Sequence, residues 1–423
     1  HKNRLYFLCG FVCVVVLLII FVVTRSHAKY RVTQSMPLVN GTINYSLPDL
    51  NIVGLYIDGE EATELDSSKK YTLDTTQSTC TYKDGTEIEN LNISYDGETG
   101  KLTITPFNTK GTKCYLDFDE KRITNIKELI ASKNLATRTD FSTTLTEDTT
   151  GTIYYADTSK GRTYYFAVNP TDSWVKFADF YWRIIRINED GSLRLIYQGT
   201  NANTIGGETQ VQKSLFNNSW NDNMYTGYMY WNNQVHGIVR GSTIKGKIDT
   251  WYQDNLSSYA DKIDGNAGFC GDRTPSTSSS SSNGSGGTGT TTTYYGGYIR
   301  LYTNKQPTFD CSNKDLYTTS GSSQGNQALQ YPTGLISMDE VWYAGGTFSN
   351  NIDYYLYTGQ SYWTMTPAYF NVNAWGIIID LNGNINFTSV DWTNGGVRPV
   401  INLKADIQIT GGNGTSTNPY VIN

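Results

Sequence analysis

The chain has 423 residues, of which 17% are charged and 13% aromatic, and its net charge is −6. That length exceeds one ordinary hydrophobic core, so two or three domains are expected. No Lys/Arg stripe appears outside the N-terminus, so nucleic-acid binding lacks its electrostatic footprint. With 32 Tyr, 40 Gly and much Asn, Ser and Thr, the composition suits neither a coiled coil nor a disordered tail. It fits β-rich extracellular modules with adaptable contact surfaces.

In chain order, the first signal is the apolar run Leu5 to Val23, nineteen residues long. At helical rise it spans roughly 28 Å, close to a hydrocarbon core of about 30 Å. Lys2 and Arg4 precede it, and Arg25, Lys29 and Arg31 follow, so flanking charge does not set its orientation. The expectation is a single-pass membrane anchor within residues 1–31, contacting the membrane through residues 5–23, with the bulk of the chain outside. A signal peptide cut after Ala28, in Ser26-His27-Ala28, is the alternative.

Cysteine usage agrees with export. Cys9 and Cys13 lie in the apolar run, while Cys80, Cys114, Cys270 and Cys311 fall as one pair in each half. This predicts disulfides Cys80–Cys114 and Cys270–Cys311, with four free buried thiols as the alternative. No C-x-x-C spacing occurs and histidines are few, so neither zinc nor any other cofactor is expected.

Residues 32–120 read as a small Ig-like β-sandwich stalk closed by the first disulfide. "NISYDGETGKLTITPF" predicts a hairpin and "TKCYLDF" a further strand. Residues 121–150 read as a connector carrying a short helix over 122–134, with Ile126, Leu129 and Ile130 on one face. Residues 151–410 form the second module. Its hairpin, 180–199, turns at Asn188 to Gly191.

A helix is expected over 250–263, with Thr250 and Gln253 as a capping box and Tyr252, Leu256, Tyr259 and Ile263 as its buried stripe. Another is expected over 337–346, with Ser337 and Glu340 as a capping box and Gly345-Gly346 as its stop. The Ser/Gly/Thr run 274–293 reads as a flexible surface loop. Residues 411–423 read as a tail. The fold class is mixed α+β, mostly β.

Near the C-terminus, Asn382-Gly383 predicts a type I′ hairpin between strands 376–381 and 384–390. Alternation points Ile377, Ile379 and Leu381 to the core, and Ile378 and Asp380 away from it. The polar and aromatic residues around this hairpin are the candidate ligand contacts: Tyr369, Asn371, Asn373, Trp375, Asn386, Asp391, Trp392 and Asn394. The alternative is that Trp375 and Trp392 cap the core while the asparagines serve turn geometry. Arg398 is expected to be structural, paired with Asp380 or Glu340.

Catalytic motifs are weak. Gly321-Ser322-Ser323-Gln324-Gly325 matches a nucleophile elbow in letters but sits in a Ser/Gly loop. "GSTIKGKI" (241–248) lacks the Ser/Thr of a phosphate loop. His236 reads as a loop histidine. Asp380 and Asp391 are the only acid/base pair singled out for glycan cleavage.

Five segments occur in an order that resembles a known family: "VKFADFYWRIIRINEDGSLRLIYQG", "TWYQDNL", "GLISMDEVWYAGG", "SYWTMTPAYF" and "NGGVRPVINL". From Tyr164 to Leu403 the chain is similar to an extracellular domain-of-unknown-function family of gut Firmicutes-type bacteria, which ends in a G-V-R-P strand. More distantly, it resembles the C-type-lectin-like variable proteins of diversity-generating retroelements. That likeness implies a lectin-like module with two short helices, displaying Asn, Tyr, Asp and Trp near the C-terminus. No Glu-Pro-Asn or Gln-Pro-Asp triplet occurs, and Trp220-Asn221-Asp222 matches another lectin triplet only in letters. The functional expectation is a surface-anchored, non-catalytic binding or adhesion protein that contacts an extracellular protein or glycan through its C-terminal loops. The alternatives are an extracellular glycan hydrolase and a structural envelope component.

Overall fold

A computed structural model describes residues 50–423 except 68, 98, 107–111, 203 and 278–285. The expected membrane segment 5–23 lies outside the described residues. Among those described, no helix is long and apolar enough to cross a membrane. The chain is mostly β and divides into two compact units, His1–Arg122 and Ile123–Asn423.

The first unit is organised by its longest strand. Strands are β1 (Leu50–Ile57), β2 (Glu60–Ala62), β3 (Tyr71–Leu73), β4 (Thr79–Tyr82), β5 (Asn92–Asp96), β6 (Lys101–Thr105) and β7 (Thr112–Glu120). In β7, Cys114, Leu116 and Phe118 are buried while Lys113, Tyr115 and Asp117 are less so, the period-2 pattern of a half-covered strand. β7 pairs parallel with β1 and antiparallel with β3 and β4, giving the order β2-β1-β7-β3. The hairpin β5–β6 forms as expected and lays Ile93 and Ile104 on the same core. Tyr95 meets Phe118 edge-on at 5.0 Å.

The Cys80–Cys114 disulfide is present, but its cysteines are direct partners on adjacent strands. It therefore staples one mixed sheet. The separate β5–β6 sheet packs on the same core without a disulfide to it.

The second unit holds two larger sheets. The eight-stranded sheet runs in the order β24-β13-β12-β10-β9-β8, with β11 beside β12 and β25 beside β11. Its strands are β8 (Asn134–Ala136), β9 (Thr152–Thr158), β10 (Gly161–Tyr165), β11 (Trp174–Phe177), β12 (Phe180–Ile187), β13 (Leu193–Gly199), β24 (Val400–Leu403) and β25 (Tyr420–Ile422). The six-stranded sheet runs β14-β23-β20-β21-β22, with β18 beside β20. It comprises β14 (Gln212–Ser214), β18 (Thr293–Tyr294), β20 (Tyr362–Asn371), β21 (Asn373–Ile379), β22 (Ile385–Ser389) and β23 (Gly395–Val397). Two-residue ladders join β15 (Met229–Tyr230) to β16 (Arg240–Gly241), and β17 (Phe269–Cys270) to β19 (Leu316–Tyr317). The second disulfide, Cys270–Cys311, is also present.

Among the described residues, four α-helices belong to this unit: α1 (Ile126–Ala131), α2 (Thr243–Asn255), α3 (Gly296–Tyr302) and α4 (Met338–Tyr343). α1 falls within the helix expected over 122–134; the lectin-like module was expected to hold two helices, and α3 is the additional one. The α4 capping box forms as predicted between Ser337 and Glu340. α2 starts earlier than predicted because Ser242 is its cap, accepting from Lys245 N. The phosphate-loop look-alike at 241–248 is therefore the cap and first turns of a helix. Tyr252, Leu256 and Ile263 are buried as the stripe predicted, although Leu256 already ends the helix.

The segment read as a connector packs into this unit, and so does the tail. Ile126 and Leu129 lie in its core, and β8 pairs with β9. Lys133, buried, meets Asp172 at 2.5 Å and the Tyr420 hydroxyl at 3.1 Å. A buried lysine needs such a partner, so this contact ties both segments to the body. The run 274–293 is also partly structured. Thr293 and Tyr294 pair with Phe370 and Tyr369, and Asn223 Nδ2 donates to the carbonyls of Gly289 and Thr291. Residues 278–285 of that run lie outside the described residues.

The first disulfide closes a sequence separation of 34 residues, worth up to about 4 kcal/mol in the loop-entropy model. Replacing Cys80 and Cys114 together by Ser is expected to lower the stability of the first unit by that order in urea unfolding. Alkylation of the native full chain should leave Cys80, Cys114, Cys270 and Cys311 unlabelled until a reductant is added.

Candidate functional site

β20, β21 and β22 form an antiparallel meander whose register sets two faces. Tyr369 lies opposite Trp375, Asn371 opposite Asn373, and Ile377 opposite Phe387. Directly opposed residues share a face, so Tyr369, Trp375, Phe387 and the two asparagines lie on one side. β18 adds Tyr294 beside Tyr369 on that side. α3 supplies Tyr298 and Tyr302.

The result is a seven-ring aromatic rosette. Tyr298 is nearly buried at its centre, with Tyr302 at 5.1 Å, Tyr369 and Phe387 at 5.8 Å, Tyr294 at 6.1 Å and Phe348 at 6.2 Å between ring centroids. Trp375 stacks on Tyr369 at 5.5 Å. Tyr302 is 53% exposed, and the other outer rings are part-buried. Offset and edge-to-face contacts fix the rings before any ligand arrives.

The β20–β21 hairpin turns at the edge of this face through Val372, which is 75% exposed with φ +67°. A β-branched residue in the left-handed region is a strained outlier. Asn371 and Asn373 flank it, the first exposed and the second part-buried. The tip thus presents one apolar and two amide side chains beside the rosette.

The structure does not bring all expected contact residues together. Tyr369, Asn371, Asn373 and Trp375 share the rosette side. Asn386 lies opposite Ile378 and faces the other way. Its Nδ2 donates to Asp380 Oδ2 at 3.0 Å. Trp392 also sits on that second side, edge-on to the buried Trp363 at 6.1 Å. Asp391 accepts from Ser389 Oγ at 2.5 Å. Asn394 is exposed in the following turn. Tyr294, Tyr298, Tyr302 and Phe348 were not foreseen. The spacing of four between Tyr294, Tyr298 and Tyr302 was the available signal, obscured by the adjoining low-complexity run.

The β21–β22 hairpin forms where predicted but with a different turn. Only Gly383 has positive φ (+77°), and Asp380 N donates to Asn384 O while Gly383 N donates to Asp380 O. That is a type I turn with a left-handed glycine bulge, not type I′. A Cβ at Gly383 would lie 1.7 Å from Asn351 O, so only glycine fits. Ile377, Ile378 and Ile379 are all buried and Leu381 is exposed. This corrects the one-sided alternation: β21 is covered on both faces. Asp380 accepts from the Asn382 and Asn384 N–H groups and from both the Asn384 and Asn386 side-chain amides.

Arg398 is fully buried, yet no carboxylate among the described residues takes it. It donates to the carbonyls of Tyr197 and Leu356 and to Gln198 Oε1, over the Tyr362 ring at 4.7 Å. It ties β24's approach to β13, a structural role with partners other than those expected. Glu340 serves two other arginines. Its carboxylate takes Arg194 at 2.5 Å, Arg186 at 3.2 Å and Ser337 N at 2.9 Å. Beside it Arg300 bridges Asp272 and Asp339. These groups line a narrow cleft of about 40 Å³, room for a water or so.

Burial alone would push the Glu340 carboxyl up, but the two guanidiniums and the Ser337 N–H outweigh it and hold it below the ordinary carboxylate range. Burial pushes the Asp339 carboxyl up, against the pull of Arg300.

The remaining motifs resolve as local structure. Asp222 caps the turn Asn223–Thr226 by accepting from Met224 N. Ser322 Oγ accepts from Gln324 N in a loop. His236 Nδ1 meets the buried Asp315 at 2.8 Å and so fastens its loop to the body. Among the described residues no cluster of His, Cys, Asp and Glu could hold a metal ion.

Two stability outcomes follow from this geometry. Glu340→Gln leaves Arg194 and Arg186 buried without their anion and should cost about 3–5 kcal/mol at neutral pH. Because the folded Glu340 pKa is depressed, its stabilisation is present above its unfolded value and lost as pH falls through the folded one. The variant should therefore lose less further stability in acid than the parent, as read from urea midpoints across pH. Trp392→Ala should cost about 2 kcal/mol, below a full-core value because the ring is part-exposed. An unchanged melting temperature would show that the Trp363 contact contributes little. Compared with known protein families, curated proteins and solved structures, the chain matches none.

Proposed function

We propose that this chain is an exported, surface-anchored, non-catalytic binding protein. Its C-terminal unit contacts an extracellular protein or glycan through the aromatic face of β20–β22 and the Asn-flanked tip at Val372. The single observation that carries this reading is the partly exposed rosette around Tyr298. Leaving ring surface open to water forgoes the gain of burying it, so a cluster of partly exposed rings marks a contact surface, and Tyr and Trp are the residue types enriched at binding hot spots. The two disulfides fit an oxidising, extracytoplasmic environment.

The finer fold reading is part of the proposal. A C-type-lectin-like arrangement is supported by two sheets with packed helices and by display of contact groups from a late hairpin. The family resemblance rests on the quoted segments. An Ig-like first unit is the weaker half, because β1 and β7 pair parallel and the disulfide stays within one sheet.

Glycan cleavage would need a carboxyl pair open to substrate. Asp380 is occupied in a turn, and Asp339 and Glu340 are ion-paired in a cleft of about 40 Å³. Those contacts favour binding over hydrolysis.

The test is capture of the full chain on arrays of glycans and extracellular proteins. Tyr302→Ala and Asn371→Ala alter exposed side chains, so the melting temperature should stay within about 2 °C of the parent. Capture should fall about tenfold or more, equivalent to about 1.4 kcal/mol or more. Undiminished capture by both variants would remove the rosette and its tip as the contact surface.

A further inference from the structure

The rings of the rosette carry polar groups that the protein itself leaves unused. Among the described residues, the hydroxyls of Tyr294, Tyr298, Tyr302 and Tyr369 and the Trp375 indole N–H have no hydrogen-bond partner, and none of them is sealed from solvent. The Asn371 and Asn373 carboxamides at the tip are in the same condition. Tyrosines elsewhere in the unit differ. Tyr354, Tyr355 and Tyr362 donate to the carbonyls of Gly383, Ile184 and Leu356, and the unpartnered hydroxyls of Tyr228 and Tyr252 are buried. Burial pushes the Tyr298 and Tyr369 hydroxyls up from the ordinary phenol range, so both stay protonated donors.

The rings themselves form two stacks. Tyr302 lies on Tyr298 with their planes 14° apart, and Trp375 lies on Tyr369 at 25°. The inner rings, Tyr298 and Tyr369, meet at 63°, so Tyr302 and Trp375 are not coplanar. Two linked small rings that turn about the bond between them suit such a pair better than one rigid flat surface does.

Charge narrows the ligand further. β18, β20, β21 and β22 contain no charged residue. Arg300, the one charged residue of α3, is held between Asp272 and Asp339. A carboxylated or sulfated ligand would meet no cation from these elements.

Hydroxyls and carboxamides both donate and accept. An aliphatic surface laid over them would leave buried donors unpaired, which is unfavourable. A sugar matches both halves of this face. Its C–H groups lie against rings, and the hydroxyls around its rim pair with phenols and amides. We infer that the rosette and its tip bind an uncharged glycan, with sugar rings on Tyr302 and Trp375 and sugar hydroxyls paired with the free phenol, indole and amide groups. This rests on the reading of the same face as a contact surface and chooses between its two partner classes.

The experiment passes the full chain over three sets of immobilised probes. These are neutral oligosaccharides of glucose, galactose, mannose and N-acetylhexosamines, their sialylated and sulfated counterparts, and extracellular proteins stripped of glycans. Neutral oligosaccharides should be retained, with or without EDTA, since every contact is a neutral hydrogen bond or a ring stack. Tyr302→Phe and Tyr294→Phe each remove only a hydroxyl without a partner, so the melting temperature should not move. Each should weaken neutral-glycan capture about fivefold, the size of one net hydrogen bond. Capture unchanged in both variants, capture abolished by EDTA, or no retention of any neutral oligosaccharide would overturn the inference. Retention of the stripped proteins alone, lost in Tyr302→Ala but kept in the two phenylalanine variants, would overturn it and leave the contact surface standing. Retention of sialylated or sulfated probes alone, lost in Lys305→Ala, would overturn the uncharged class.

Discussion

Glu340 is the point on which the second unit depends. One carboxylate closes the cap of α4, neutralises Arg194 from β13 and takes Arg186 from β12. It thereby fixes a helix to the central hairpin of the eight-stranded sheet. Such a cluster is stable only when every member is partnered, because a buried charge without its counter-ion is far costlier than a lost surface contact. Arg300, with Asp272 and Asp339, extends the network to α3. The perturbed carboxyl groups here are explained by structural pairing, which shifts pKa values as effectively as catalysis does.

From that anchor the geometry of the rosette follows. α3 is held on one side by Arg300 and on the other by Tyr298 among the rings of β20, β22 and β18. The two faces of the meander then have different tasks. One carries the buried Trp363 over Gly376, where a Cβ would lie only 3.1 Å from the ring, with Trp392 against it. The other carries the rings and the strained tip at Val372. A binding surface built on strands gains rigidity that a free loop lacks.

The first unit solves a smaller problem with different means. Its core is short, with Cys114, Leu116 and Phe118 as the spine. A small core gains little from burial alone, and the cross-strand disulfide between β4 and β7 supplies the missing restraint on the unfolded chain.

The sequence by itself determined the features that rest on near neighbours. The hairpins at 92–105, 180–199 and 376–390 and the Ser337–Glu340 cap were legible because turn residues, alternation and capping act over a few positions; the two cysteine pairings, 34 and 41 residues apart, were legible only because one pair falls in each half of the chain. What tertiary structure decided was everything that joins distant segments. Ser242 and not Thr250 starts α2, since the chain before Thr250 finds a packed face for Ile244 and Ile248. Arg398 takes carbonyls and not a carboxylate, because β24 brings it against Tyr197 and Gln198. The connector and the tail join the core through Lys133, Asp172 and Tyr420, three residues remote in sequence. The rosette draws on five separate segments, and beyond the spacing of four from Tyr294 to Tyr302 nothing along the chain marks which of them meet. Local conformational preference is written along the chain, whereas the choice of partner for a buried ring or charge depends on which surfaces the completed fold brings within reach.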